Sequence, residues 1–277
     1  MNAATSTTAT TAAHDHGANT PVPRRNLLRL YALEAKMECL KLLRVPAFAV
    51  PSIAFPWVFY CLFGLTFGKG SVGSTTMATY LLASYGAFGV IGVSLFGFGV
   101  GVATERGQGW MLLKRATPMP PGAYFTAKTA LAVVFSTVIL SGLFALGAFA
   151  GGVVMETWQW VSLAGVLLTG AVPFCALGLA LGYVSGPNSA PAVVNLIYLP
   201  MSFASGLWIP IQALPGWVQA VAPWLPPYHL NQLAVGILGV EMQMAAWQHV
   251  GALVLSTVIG LALARFAYVR DRGKTYG

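Results

Sequence analysis

The sequence predicts an all-α integral membrane fold with six transmembrane helices. Three observations carry that prediction. First, 57% of the 277 residues are hydrophobic and only 8% are charged. A water-soluble domain carries about 25% charged residues, so this chain cannot cover itself in water and its main solvent is a bilayer. Second, six stretches are apolar over about the 20 residues that a membrane helix needs. Third, 14 of the 15 Lys and Arg residues fall on segments that six crossings would place on one side, and only Lys69 falls on the other. Five or seven crossings would destroy that asymmetry, which marks the basic side as cytoplasmic.

Taken in order, residues 1–23 are Thr/Ala-rich and polar without an apolar run. They read as a disordered cytoplasmic tail rather than a signal peptide. Residues 24–45 follow as an amphipathic basic helix. Leu30, Leu33, Met37 and Leu40 recur at helical spacing, with Arg29, Lys36 and Lys41 elsewhere on the wheel. Such a helix lies in the interface and is attracted to anionic lipid. The transmembrane domain spans 46–270, with crossings at Pro46–Phe67, Met77–Ala103, Thr129–Gly152, Gln159–Val184, Ala190–Leu207 and Ala245–Tyr268. A short cytoplasmic tail, 271–277, ends the chain.

Two connections stand out. Thr104–Tyr124, TERGQGWMLLKRATPMPPGAY, gathers Glu105, Arg106, Lys114 and Arg115 around an apolar stretch and then three prolines. Gly107, Trp110 and Lys114 sit at helical spacing, and Trp110 and Leu113 share one side of a short surface helix over about 104–117. Gly206–Leu230 is apolar but carries Pro210, Pro215, Pro223, Pro226 and Pro227, which forbids one continuous helix. Its Trp208, Trp217 and Trp224 favour the interface. The segment over about 208–230 therefore reads as two half-helices dipping into the outer leaflet, a re-entrant cap in which Pro210, Pro215, Trp217, Trp224 and Pro226 mark the breaks and anchors.

Several chemistries are disfavoured. No G-x-S-x-G and no H-E-x-x-H occurs. Cys39, Cys61 and Cys175 show no disulfide or metal spacing. The Gly273-Lys274-Thr275 run lacks the first glycine and the following helix of a phosphate-binding loop. No ionisable side chain sits near the centre of a crossing, which removes support for ion coupling. The basic residues flank apolar runs instead of forming a domain, so nucleic acid is not an expected partner. Polar residues do occur within the crossings, among them Ser84, Tyr85, Asn195, Tyr198 and Ser202. Most such groups hydrogen-bond between helices.

Glu105–Lys128 resembles the first cytoplasmic loop of the type-2 permeases of ATP-binding-cassette transporters: an acidic–basic pair, a Gly and an apolar stretch leading into prolines. Ala204–Leu233 resembles their outer re-entrant segment, and the basic helix before six crossings fits as well. The resemblance covers about Arg24 to Arg270, with Gly109-Trp110 as a departure where the family often has a small polar residue. It implies the membrane subunit of an exporter in the cell's inner membrane. That subunit binds no cofactor itself. It pairs with a second permease chain, expected to be identical, and with two copies of a cytoplasmic ATPase that uses ATP and Mg. The loop would be a coupling helix, with Glu105, Arg106, Gly107, Trp110, Leu113 and Lys114 at the ATPase contact. Phe88, Phe96, Asn195, Tyr198 and Phe203 are candidates for the path. The charge-free crossings suggest a hydrophobic or amphipathic cargo such as a drug or lipid. A lipid-linked glycan stacking on the aromatic rings is the alternative cargo, and an integral membrane enzyme is the rival from another class.

Overall fold

A computed structural model gives the fold and describes residues 29, 32–38, 40, 46–110 and 121–271. The N-terminal basic segment is helical over 32–38, here α1. Leu33 and Met37 on it are exposed, while Glu38 is buried. Helix α2 starts at Pro46–Phe59, widens into a π-turn at Tyr60–Gly64 and ends at Leu65–Phe67. Prolines 51 and 56 remove two of its backbone donors. A two-stranded hairpin, β1 Ser71–Val72 and β2 Thr75–Thr76, turns the chain into α3, Met77–Gly107. The Thr76 hydroxyl accepts from the Thr79 amide and caps that helix.

The remaining helices are α4 Pro121–Phe149, α5 Thr157–Thr169, α6 Ala171–Val184, α7 Ala190–Ala204, α8 Gly216–Val221, α9 Pro226–Ile237 and α10 Ala246–Asp271. Among the described residues, five helices are long and apolar enough to cross a membrane: Val50–Phe67, Met77–Gly107, Tyr124–Phe149, Thr157–Val184 and Ala246–Arg270. The fourth of these joins α5 to α6 across Gly170, where a Cβ would stand 2.3 Å from Leu230 of α9. The apolar α7 is shorter than the others.

Helix α3 is the hub. It packs against α2, α4, α5, α6, α7 and α9. Its length is buried almost throughout, because its glycines admit neighbours that a side chain would exclude. A Cβ at Gly92 would stand 2.8 Å from the Tyr198 hydroxyl, and one at Gly99 would stand 2.8 Å from Val194. By contrast α10 touches α6 and α9 and leaves Val254, Val258, Phe266 and Val269 exposed, as a lipid-facing helix does.

The Gly206–Leu230 segment does break where its prolines stand. Pro210 precedes a single 3-10 turn, Pro215 caps the six-residue α8, and Pro226-Pro227 open α9. Proline at the first helical positions costs no hydrogen bond, so this pair starts a helix rather than ending one. That corrects the expected boundary at about 230: α9 runs on to Ile237, buried between α3, α5 and α10.

Candidate functional site: a groove and two polar joints

An uncharged groove of about 440 Å³ lies between α2, α3 and α7. Phe55 and Phe59 line it from α2, Phe88 and Phe96 from α3, Asn195 and Tyr198 from α7, and Trp208 from the segment after α7. The rings brace one another. Phe88 stacks on Tyr198 with centroids 4.9 Å apart, Phe96 meets Tyr198 edge-on at 6.1 Å, and Trp208 packs on Phe59 at 4.8 Å. The Tyr198 hydroxyl donates to the Phe88 carbonyl at 2.7 Å, which satisfies it and fixes the ring as a wall. Asn195 is exposed to the groove and supplies an amide there. Of the five candidates for the path, the fold brings together Phe88, Phe96, Asn195 and Tyr198. Phe203 is half exposed and does not line the groove. Sequence reasoning missed Phe55, Phe59 and Trp208. A period of four along α2 places Phe55 and Phe59 on one face and was the available signal.

At the α1 end of the bundle, charge is buried. Lys128, 2% exposed, donates to Glu38 at 2.9 Å and to Glu105 at 3.0 Å. The Tyr124 hydroxyl donates to the other Glu105 oxygen at 2.7 Å, and the Lys128 ammonium lies 5.2 Å from the Tyr124 ring centroid. One cation thus ties α1, the last turn of α3 and the first turns of α4. Next to it Arg106 donates to the carbonyls of Tyr183 and Ser185, at the C-terminal end of α6, where unpaired carbonyls favour a cation.

This geometry corrects the expected surface role of Glu105 and Arg106. Both are buried, because each has specific partners inside. Residues 104–107 of the helix expected over 104–117 belong to the last turn of α3, which continues through Gly107; residues 111–117 lie outside the described residues. Gly107 faces Pro187, which a Cβ would approach to 2.6 Å. Gly109 then takes a left-handed φ of 74° and ends the helix, which gives Gly109 a physical role at the point where the chain departs from the family pattern. Trp110, 45% exposed, is on the surface. Leu113 and Lys114 lie outside the described residues.

At the opposite end the joints are neutral. Asn231 of α9 accepts from Ser84 at 2.9 Å and donates to the Gly206 carbonyl at 3.1 Å, which also accepts from Tyr80. His229 and His249 face each other with Nδ1 atoms 2.8 Å apart, and both are buried. Burial holds His229 below the ordinary histidine range, partly offset by the Pro223 carbonyl. Trp217 and Trp224 are largely exposed, at 73% and 86%.

Comparison with known proteins decides the family. Residues 31–238 match the family model for the ABC-2 type transporter. The chain belongs to that family. The permease is also 26% identical, over 83% of its own length and 93% of the relative's, to the provisionally named transport permease YvfS of Bacillus subtilis (strain 168). It is therefore a multi-pass membrane subunit of a transporter, in a family whose permeases work with an ATPase subunit.

Proposed function

We propose that this permease exports a hydrophobic or amphipathic compound, drug-like or lipid-like, driven by a separate cytoplasmic ATPase. The observation that carries the cargo class is the groove. Its walls are largely aromatic, its polar side chains include the Asn195 amide and the Ser52 hydroxyl, and it holds no charge. Aromatic faces attract flat apolar groups and leave an ionised one unsolvated. In this reading α7 supplies the remaining crossing, the fifth in chain order. Its 15 residues span about 22 Å at 1.5 Å per residue, short of the roughly 30 Å hydrocarbon core. The tryptophan-bearing segment that follows completes the crossing from the outer side, with Trp217 and Trp224 shallow in the outer leaflet and α8 and α9 as the cap. The termini then lie in the cytoplasm of the inner membrane.

The ATPase would dock on the chain just beyond Gly109, with Trp110, Leu113 and Lys114 in contact. Glu105 and Arg106 act from behind, holding the stem of that loop. A second, identical permease would complete the path across the exposed apolar faces of α2 and α7, which carry Val58, Leu62, Leu196 and Phe203. The aromatic walls and the Asn195 amide would also suit a lipid-linked glycan.

The test is ATP hydrolysis by the permease–ATPase complex in proteoliposomes. Uncharged amphipathic aromatic compounds should accelerate it, and Phe96→Ala and Tyr198→Ala should weaken their apparent affinity by up to about tenfold. Stimulation by glycan-lipids alone would transfer the reading to the other cargo. A complex that hydrolyses ATP yet responds to neither class would remove the groove from the path.

A further inference from the structure

The groove and the buried ions leave the histidine pair without a role, and its hydrogen inventory is unusually constrained. The Pro223 carbonyl lies 2.9 Å from His229 Nε2 and can only accept, so His229 carries its proton on Nε2. Its Nδ1 is then a lone pair. The His249 Nδ1, 2.8 Å away, must donate to it. The His249 Nε2 is consequently a second lone pair, buried and without a hydrogen-bond partner among the described residues. Both rings are nearly sealed, at 4% and 0% exposed, and the edge of Tyr228 packs on them.

The closed pair therefore has room for one added proton at most, on His249 Nε2. A proton on His229 Nδ1 would set two N–H groups against each other across 2.8 Å. When α9 and α10 separate, both rings meet water and each binds a proton near pH 6.5. We infer that His229 and His249 form a proton-binding latch: closed and neutral it fastens α9 to α10, and taking up protons it releases them.

No charged side chain blunts this response. Tyr228 spends its hydroxyl on Gln243. From α3, Tyr80 is bonded to Gly206. From α5, Glu156 is engaged in capping its own helix and in accepting from Trp158. Glu241, in the connection before α10, is exposed. No carboxylate or cation contributes to His229 in either direction. The backbone carbonyl of Met244 beside His249 can only accept, so it favours an added N–H there and works against the release. Under the topology proposed above, the latch faces the outer compartment, whose acidity would then set how firmly the outer end of the permease is closed. The inference itself depends on neither the cargo nor the ATPase.

The experiment is hydrogen exchange on the purified full-length permease at pH 7.5 and pH 5.0, corrected for intrinsic exchange chemistry. Opening of segments 226–237 and 246–252 should rise at least about 30-fold on acidification, the factor for one group titrating at 6.5 in the open form alone. Segment 98–107, at the other end of α3, should change little and serves as the control against global unfolding. In His249→Asn the amide replaces the Nδ1–H donor, and the pH response should shrink. In the double variant His229→Asn with His249→Asn it should vanish. A flat wild-type response, an equal response at 98–107, or a full response in the double variant would each overturn the latch. Should the double variant fail to fold, the wild-type contrast between the two segments decides alone.

Discussion

The two ends of this bundle solve one problem in opposite ways. Each must fasten helices to one another through buried polar atoms. The α1 end does it with ions: Lys128 between Glu38 and Glu105, and Arg106 on the last carbonyls of α6. The tryptophan end does it with neutral groups: Asn231 on Ser84 and Gly206, and His229 on His249. Ionic joints are intolerant, because deleting one partner strands a charge out of water. Neutral joints cost less to open. The bundle is thus clamped at one end and fastened more loosely at the other.

The comparison can be broken most forcefully at Lys128. Lys128→Met should destabilise the permease by about 3–5 kcal/mol, by removing the buried ammonium that joins the Glu38 and Glu105 carboxylates. Thermal unfolding in detergent measures it. Adding Glu38→Gln and Glu105→Gln should recover much of the loss, and no recovery would show that the methylenes of Lys128, not its charge, hold the joint. Asn231→Ala should cost less, about 1–3 kcal/mol, by orphaning the Ser84 hydroxyl and removing one of the donors to the Gly206 carbonyl.

Acid sharpens the contrast without mutation. His229 is held below its ordinary range in the fold, so the unfolded chain takes the proton first. Its contribution to stability is complete above about pH 6.5 and declines as pH falls below that value. Thermal stability of the wild type should therefore drop between pH 7.5 and 5.0, and His229→Asn should lessen the drop. The smallest effect is expected at Trp224→Ala. The side chain is 86% exposed, so folding stability should move within about 0.5 kcal/mol, while partition of the outer segment into lipid, read by quenching of its fluorescence, should weaken.

What sequence could and could not disclose follows from the range of the interactions. Helices came from apolar runs, and Met77–Gly107 or Thr157–Val184 needed no partner to be legible. The place of Tyr198 and Phe88 in the groove was accessible because both lie on uncharged crossings where aromatic groups have few other uses. Long-range pairings were not accessible. Glu105 and Lys128 are 23 residues apart and flank a polar, proline-rich stretch of sequence, so their charges read as loop solvation. His229 and His249 are 20 residues apart on different helices, and nothing local marks them as neighbours. Helix α9 was cut short because Pro226-Pro227 carry two meanings, stop and start, and only the packing of Tyr228, Asn231 and Val235 against the bundle selects the second.

The unbroken run of α3 has a mechanical consequence. At 1.5 Å per residue its 31 residues make a shaft about 46 Å long, with no proline along it. Gly109 stops it cleanly, and the threonine cap at its other end stops it from fraying. A shaft gripped along its length by six neighbours resists bending and favours moving as one piece. A displacement delivered beside Arg106 would then be carried toward Tyr80 and Ser84, passing the walls of the groove on its way.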